Sequence, residues 1–197
     1  MSSSRQLTVI LLSDISGSTS VLQKNQRSAS LAIRKHEKML KRLVPRFQGQ
    51  IQHFQGETSI CIFSAHHKAV DCARAMQMEL QDQVQLRIGI HDGEVIECNG
   101  ETYMNGVDLA YQIEMCGHPG TILFSKNVHN AICNETSHSD VSLGYFKCAN
   151  STKPLEIYGL TDPGLKSIRP LELKNRLSYK VPSQVKYPKY QASIHSY

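Results

Sequence analysis

The decapeptide Leu86-Arg87-Ile88-Gly89-Ile90-His91-Asp92-Gly93-Glu94-Val95 is the most informative stretch of this chain. From Val84 to Ile90, apolar side chains alternate with other residues, and this period of two predicts a β-strand with one face in the core. The segment 91–94 contains an Asp-Gly pair, which is a common turn signal. We therefore expect a strand over 84–90, a turn over 91–94 and a second strand over 95–98.

The segments on both sides of this stretch alternate between strand and helix patterns. Upstream, the pattern predicts a strand at 7–12, a helix-capping turn at 16–19, a helix from Ser30 to Phe47 disturbed by Pro45, hairpin strands at 50–54 and 58–63, and a helix at 65–80. Downstream, it predicts a helix at 106–115, a strand at 121–124, a helix at 125–133, and strands at 143–147 and 155–160. This order is the split βαββαβ pattern of a ferredoxin-like core, so we expect an α+β fold.

Composition narrows the class of protein. The chain has 197 residues, of which 40% are hydrophobic and 20% charged, values typical of a soluble globular protein. Its longest uncharged apolar run, Leu7–Leu12, is far shorter than the ~20 residues of a membrane span, and no signal-peptide pattern opens the chain. The six cysteines are scattered without a CxxC pair, which argues against a zinc site and a disulfide framework. We therefore expect a location in the reducing cytoplasm.

The positive charge is concentrated at the C-terminal end. Residues 1–160 contain 15 Lys/Arg and 15 Asp/Glu, whereas residues 161–197 contain seven against two, which accounts for the net charge of +5. Four of the eight tyrosines and four of the seven prolines also lie there. We predict a domain at 1–160 and a basic C-terminal extension at 161–197. Such an extension either binds an anionic partner, including nucleic acid or an acidic membrane surface, or is a plain arm of the domain.

Several short motifs in order resemble the class III adenylate/guanylate cyclase catalytic domain. Asp14-Ile15-Ser16-Gly17-Ser18-Thr19 after an apolar strand resembles the family's opening "D-I-x-G-S/F-T". The stretch 86–95 matches the "lRiGIHxGeV" segment almost letter for letter. Further matches are Phe54-Gln55-Gly56-Glu57, Val107-Asp108-Leu109-Ala110-Tyr111-Gln112-Ile113, Pro119-Gly120-Thr121-Ile122-Leu123-Phe124-Ser125 and Lys153-Pro154-Leu155-Glu156-Ile157-Tyr158. The resemblance covers about residues 5–160.

The resemblance implies a two-metal site that uses Mg²⁺ or Mn²⁺. Family domains pair head to tail and form active sites at the subunit interface, so it implies a homodimer or a heterodimer with another cyclase chain, and a nucleoside triphosphate as ligand. Asp14, with the carbonyl of Ile15, stands at the first metal-binding position; the alternative is a strand-end carboxylate that caps the next helix. Glu57 stands where the family has Asp. Because Glu is one methylene longer, Mn²⁺ suits it better than Mg²⁺, and the alternative is a solvated hairpin-tip Glu.

The positions that read the base depart from the family pattern. His53 stands where the family has Lys for adenine or Glu for guanine, and Glu101 stands at the position of its usual Asp partner. This pair matches neither base rule. The alternative for His53 is a half-buried strand histidine.

The positions that stabilise the transition state depart further. Asp108 stands where the family has Asn, and Gln112 where it has the Arg that neutralises charge on the phosphate. By analogy with other phosphoryl-transfer enzymes, loss of that Arg costs on the order of 10³-fold in rate. The family's late phosphate-binding Lys falls on Ala149, and Lys147 lies two residues earlier, ~6.6 Å along a strand.

Three functions remain open from the sequence. The first is a degenerate cyclase domain in cyclic-nucleotide signalling that acts as a regulatory or dimerisation module, since Asp108 and Gln112 make the pocket more negative toward a polyanionic substrate. The second is a weak, Mn²⁺-dependent cyclase that converts a nucleoside triphosphate to a cyclic nucleotide and pyrophosphate. The third is a different function on the same fold.

Overall fold

The computed structural model describes residues 4–16, 26–80, 84–98, 101–147 and 154–168. Its four helices are α1 (Gln26–Arg46), α2 (His66–Leu80), α3 (Val107–Cys116) and α4 (Lys126–Ile132). Its eight strands are β1 (Ser4–Ser16), β2 (Gly49–Gln55), β3 (Thr58–Phe63), β4 (Gln85–Cys98), β5 (Glu101–Asn105), β6 (Ile122–Ser125), β7 (Asp140–Phe146) and β8 (Leu155–Leu160). The expected α+β class is confirmed, and the elements follow the expected order except that the separate strand predicted at 95–98 is part of β4, and β5 was not predicted. The capping turn predicted at 16–19 lies almost wholly outside the described residues.

The predicted turn at 91–94 is wrong. β4 runs without interruption from Gln85 to Cys98, and the hairpin connects it to β5 two residues later. The Asp-Gly pair lies within the strand because β4 pairs with β1 along its length, from Ser4 opposite Glu97 to Ser16 opposite Gln85. Continuous cross-strand pairing has overridden a local turn signal.

The sheet has helices on both faces. Its strand order is β2-β3-β1-β4-β6-β8-β7, with β5 paired to β4 outside this order. On one face, Val9, Leu11 and Ile15 of β1 lie in a core cluster with residues of α1, α2 and α4. On the opposite face, Ile10 and Leu12 pack with Val107 and Ala110 of α3. Alternation along β1 therefore places Asp14 on the face that α3 covers.

Glycine at position 89 lets α3 lie directly on β4. A Cβ atom there would lie 2.3 Å from the carbonyl oxygen of Ala110 and 2.5 Å from the backbone nitrogen of Glu114. The absence of a side chain at Gly89 thus fixes the distance between α3 and the strand that carries Arg87.

The first residues of the predicted C-terminal extension contact the domain. Asp162 and Ile168 are buried, and Leu165 packs against the main core. Residues 169–197 lie outside the described residues, so the boundary near 161 stays a prediction. None of the helices in the described part of the chain has the length and apolar character needed to cross a membrane.

Candidate functional site

Asp14 lies near the end of β1, between two partners on neighbouring strands. Thr58 of β3 and Arg87 of β4 are its direct neighbours in the register. The Thr58 hydroxyl donates a 2.8 Å hydrogen bond to Oδ1, and Nη2 of Arg87 donates one of 2.8 Å to Oδ2. The Asp14 side chain is 18% exposed. The carboxylate at the predicted first metal position is therefore held by a cation and a hydroxyl of the same sheet.

Arg87 also contacts a second carboxyl group, that of Glu114 on α3. Its Nε atom lies 2.6 Å from Oε1 of Glu114, and the Glu114 side chain is 1% exposed. The two groups are not aligned for a hydrogen bond, so this is an ion contact. Burial raises the pKa of Glu114 to about 8, an effect that outweighs the attraction of the guanidinium. Burial by itself lowers the pKa of Arg87, but Glu114 and Asp14 together raise it. Arg87 therefore lies between two carboxyl groups, one on β1 and one on α3.

The β2–β3 turn lies next to the end of β1. The backbone N–H of Ile15 donates a 3.2 Å hydrogen bond to the carbonyl oxygen of Glu57. Three residues predicted to bind metal (Asp14, Ile15 and Glu57) are thus neighbours at one end of the sheet. Each carboxylate oxygen of Asp14 accepts one hydrogen bond, from Thr58 or from Arg87, and so keeps a lone pair. The atoms available to bind a metal are all hard oxygens, so the set fits a divalent cation such as Mg²⁺ or Mn²⁺. No cluster of three or more His, Cys, Asp or Glu side chains that would hold a metal occurs in the described ranges.

The two predicted base-reading residues lie in different places. His53 on β2 is half-buried. It pairs with Ile60 of β3, which in turn pairs with Leu12 of β1. Because Leu12 and Asp14 lie on the same face of β1, the register places His53 on that face too. Glu101 begins β5 and pairs with Cys98, at the opposite end of β4 from Arg87. The structure therefore does not bring Glu101 next to Asp14 within one chain, and its side chain is not described.

The predicted transition-state positions lie on α3. Asp108 is exposed in the first turn of this helix, whereas Gln112 is buried, with 8% of its surface exposed, and makes polar contacts. Their spacing of four residues places them on one face of the helix. Lys147 is exposed just after β7. α3 itself contains two acidic residues, Asp108 and Glu114, and no Lys or Arg.

Arg87 lies within one of the sequence motifs, and Thr58 and Glu114 each directly follow one, but no role was predicted for them. In an alternating strand, a charged residue between the apolar positions, such as Arg87, is expected on the solvent face, so the pattern did not indicate that α3 covers it. Its partners were not predictable because they come from two other elements, α3 and β1. The Asp14–Arg87–Glu114 chain is the polar centre of the face that α3 covers.

Comparison with known proteins shows which proteins this chain is similar to. No family model matches the chain. A curated relative, "Putative adenylate cyclase 3" of Rhizobium meliloti (strain 1021), is 26% identical over 164 residues, which make up 78% of this chain. The match covers only 28% of the length of that protein.

Solved structures give the same result. The Adenylate/Guanylate Cyclase/Hydrolase from Silicibacter pomeroyi is 24% identical, with a TM-score of 0.68 over 81% of this chain and 99% of that one. The adenylyl cyclase CyaB from P. aeruginosa is 18% identical, with a TM-score of 0.72 over 82% of this chain and 97% of that one. The guanylate cyclase domain of RhGC from Catenaria anguillulae, solved in complex with GTP, is 15% identical, with a TM-score of 0.68 over 80% of this chain and 98% of that one.

The chain therefore has the class III adenylate/guanylate cyclase fold, as its motifs predicted. Several of the positions at which the resemblance predicts contacts to metal, base and phosphate carry other side chains than the family pattern, among them Glu57, His53 and Gln112.

Proposed function

We propose that this domain acts in cyclic-nucleotide signalling as a regulatory or dimerisation module and does not cyclise nucleoside triphosphates as a homodimer. The observation that carries the proposal is that α3 has no Lys or Arg and carries the exposed carboxyl group of Asp108 in its first turn. The resemblance assigns to this helix the Asn and Arg that orient the ribose and neutralise the phosphate. Negative charge that develops on a phosphate is stabilised by a preorganised cation, and α3 provides none.

Arg87 does not replace the missing cation. Asp14 and Glu114 contact it on two sides, and its side chain is only 23% exposed. A guanidinium held in this way stabilises the packing of α3 on the sheet. Its charge is compensated by neighbouring carboxyl groups, so it attracts a triphosphate only weakly. The acidic residues Asp108 and Glu57 add repulsion toward the substrate, in a partly desolvated site where charges interact strongly.

A partner chain would complete such a domain. We infer that a second cyclase chain, supplying the cation absent from α3, would form one working site with this chain. The grouping of Asp14, Ile15 and Glu57 supports this role, because these residues would hold a divalent cation. When bound, that cation would stabilise the charge of the triphosphate oxygens.

The same grouping favours a second candidate, a weak Mn²⁺-dependent cyclase. Two hard carboxylates and a carbonyl lie at the end of β1 and the adjoining turn, linked by the 3.2 Å hydrogen bond from Ile15 to Glu57. Under this proposal Gln112 donates a hydrogen bond to the phosphate in place of a charged group. The two candidates differ in one measurable respect, which is product formation by the purified chain.

A mass-spectrometric search for cyclic nucleotides tests both candidates. The full chain is incubated with Mn²⁺ or Mg²⁺ and each of the four ribonucleoside triphosphates, beside Asp14→Ala. We expect no product from the wild-type chain and a gain of product in the double variant Asp108→Asn/Gln112→Arg, because a transition-state Arg contributes on the order of 10³-fold or more in rate.

Two results contradict the module proposal. Wild-type product that disappears in Asp14→Ala establishes the weak cyclase instead and names its base. If the double variant remains inactive while circular dichroism shows that it is folded, the charge of α3 is not the cause of inactivity.

A further inference from the structure

We propose that the solvent face of α1 is a binding surface for the phosphate backbone of double-stranded nucleic acid. α1 contains seven Lys/Arg and one acidic residue, Glu37. Because residues 1–160 contain 15 of each sign, the remainder of that segment has eight basic and 14 acidic residues. This surface lies on the sheet face opposite α3, so the proposal is independent of the function proposed above.

The seven cations occupy one side of the helix. At about 100° per residue they fall within an arc of about 140°, centred opposite the side that packs on the sheet. All seven are exposed, whereas Met39, Leu40, Leu43 and Val44 are buried in the core. The basic face consists of Arg27, Arg34, Lys35, Lys38, Lys41, Arg42 and Arg46, and it is about 28 Å long at 1.5 Å per residue.

A groove widens the basic face toward α2. It encloses about 300 Å³ and is lined by Lys35, Lys38, Met39 and Arg42 of α1 and by Glu79 and Leu80 of α2. Glu79 pairs with Arg42, and Glu37 pairs with Lys41 at 2.7 Å across one helical turn. Both pairs are largely exposed, so each contributes little free energy and is readily exchanged for a phosphate contact.

The chemistry of this face favours a duplex over other polyanions. Stacking of single-stranded bases needs exposed aromatic side chains, and α1 has none, since its one ring, that of His36, is buried. Insertion into a membrane surface needs a free apolar face, but that of α1 is buried, and Leu31 is its one large apolar side chain that is mostly exposed. Protein interfaces depend on clusters of aromatic or aliphatic anchors, whereas Leu31 stands alone among the cations of this face. A convex row of Arg and Lys, spaced by about 4.5–6 Å per turn, suits contacts to phosphates without reading sequence.

The central row (Arg34, Lys38 and Lys41) provides the test. The full chain carries Arg34→Gln/Lys38→Gln/Lys41→Gln, substitutions that keep helix propensity. A matched control, Arg5→Gln/Lys126→Gln/Lys166→Gln, removes the same charge from exposed positions elsewhere. Fluorescence anisotropy with a labelled 24-base-pair DNA of mixed sequence gives the affinity between 50 and 200 mM KCl.

We expect micromolar or weaker binding by the wild-type chain, with a steep dependence on salt. The α1 variant should bind on the order of 10²-fold more weakly at 0.1 M salt, with a salt slope smaller by about three, because each lost phosphate contact removes about 0.9 from the slope. The control should retain most of the affinity and slope.

Three outcomes overturn the proposal. The first is an equal loss in both triple variants, which shows an effect of net charge alone. The second is unchanged binding by the α1 variant, which moves the interaction to the basic extension at 161–197. The third is binding to vesicles of phosphatidylcholine and phosphatidylserine without binding to the duplex, which identifies the surface as membrane-directed.

Discussion

His36 on α1 is a fully buried imidazole within a small polar network. Its Nε2 atom lies 2.9 Å from the hydroxyl of Ser13, which lies 2.6 Å from the hydroxyl of Ser59. The ring also contacts Phe54 edge-on at 5.6 Å between centroids. Ser13 and Ser59 are sequence neighbours of Asp14 and Thr58, so this network ties α1 to the two strands that hold Asp14. Burial lowers the pKa of His36 to about 4.

This lowered pKa predicts a loss of stability in mild acid. Between the unfolded value of 6.5 and the folded value of about 4, the unfolded chain binds a proton that the folded chain does not bind. The free energy of unfolding should therefore fall as pH decreases through this window, by about 1.4 kcal/mol per pH unit from this group. Urea denaturation at several pH values gives the free energy of unfolding as a function of pH. The slope of this pH dependence should correspond to about one proton fewer in His36→Gln than in the wild type.

The control for this prediction is His67→Gln, which replaces a more exposed histidine on α2. A difference of less than half a proton between His36→Gln and the wild type would contradict the assignment. Because the variant loses a buried hydrogen bond, an NMR titration of the His36 ring in the wild-type chain gives an independent answer: the ring should stay neutral above pH 5.

The residues of the candidate site were only partly predictable from sequence. Asp14, Ile15 and Glu57 were found by their motifs, and the structure brings them together. Arg87 and Glu114 were not assigned a role, because their contact depends on how closely α3 approaches β4. Local sequence patterns give residue types and their spacing. They do not give the distances between elements in the folded chain, which make Arg87 a partner of Asp14.

At the scale of the elements, the packing of α3 on β4 depends on Gly89. The helix backbone occupies the space that a Cβ atom would need, and backbone cannot rotate away as a side chain can. Gly93, further along the strand, is crowded by Ile10 and the carbonyl oxygen of Asn105. The glycines of the 86–95 stretch are therefore close contact points, Gly89 for α3 and Gly93 for β1 and the end of β5, and neither marks a turn.

We expect Gly89→Ala to destabilise the protein by roughly 1–3 kcal/mol or more, since overpacking here must displace α3. Gly159→Ala is the matched control, because its Cβ atom would meet Leu123 and Leu143 at an ordinary 3.4 Å. Urea midpoints measure both variants. Equal midpoints for the two variants would contradict this prediction, because they would show that α3 moves away from β4 without cost.

The elements themselves were largely predictable, because their periodicities are strong. The error at 91–94 has a physical cause: an Asp-Gly pair marks a turn only when no neighbouring strand competes for its backbone groups. β1 pairs with β4 at this position itself, where Val9 lies opposite Asp92 and Thr8 opposite Gly93. The sequence of β4 alone contains no sign of that competition.

At the scale of the whole molecule, Asp162 connects parts of the chain that are distant in sequence. Its Oδ2 atom lies 2.5 Å from Nδ1 of His138 and 3.0 Å from Nε of Arg74, and its Oδ1 accepts a 2.8 Å hydrogen bond from the backbone of Ser139. Nε2 of His138 lies 2.9 Å from Asp71. These contacts fasten the segment after β8 to α2 and to the approach to β7. They outweigh burial, so the pKa of Asp162 lies below its ordinary value.

Asp162→Asn should lower the free energy of unfolding at pH 7 by roughly 1–3 kcal/mol, because the partly buried partners Arg74 and His138 lose a charged acceptor. The matched control, Glu37→Gln, breaks an exposed pair with Lys41 and should change it by about 0.5 kcal/mol or less. The difference between wild type and Asp162→Asn should shrink below the ordinary Asp pKa of 3.8, where the carboxylate becomes protonated. A constant difference from pH 7 to pH 3 would contradict this origin.

The uneven distribution of charge over residues 1–160 has a consequence for motion in solution. This segment is neutral in total, yet seven of its basic residues lie on α1 while 14 of its 15 acidic residues lie elsewhere. A cluster of cations on one side gives this body an electric dipole moment, so a charged partner exerts a torque on it before any contact forms. Rotational alignment during approach would present α1 first to an anionic surface and the opposite side first to a cationic one.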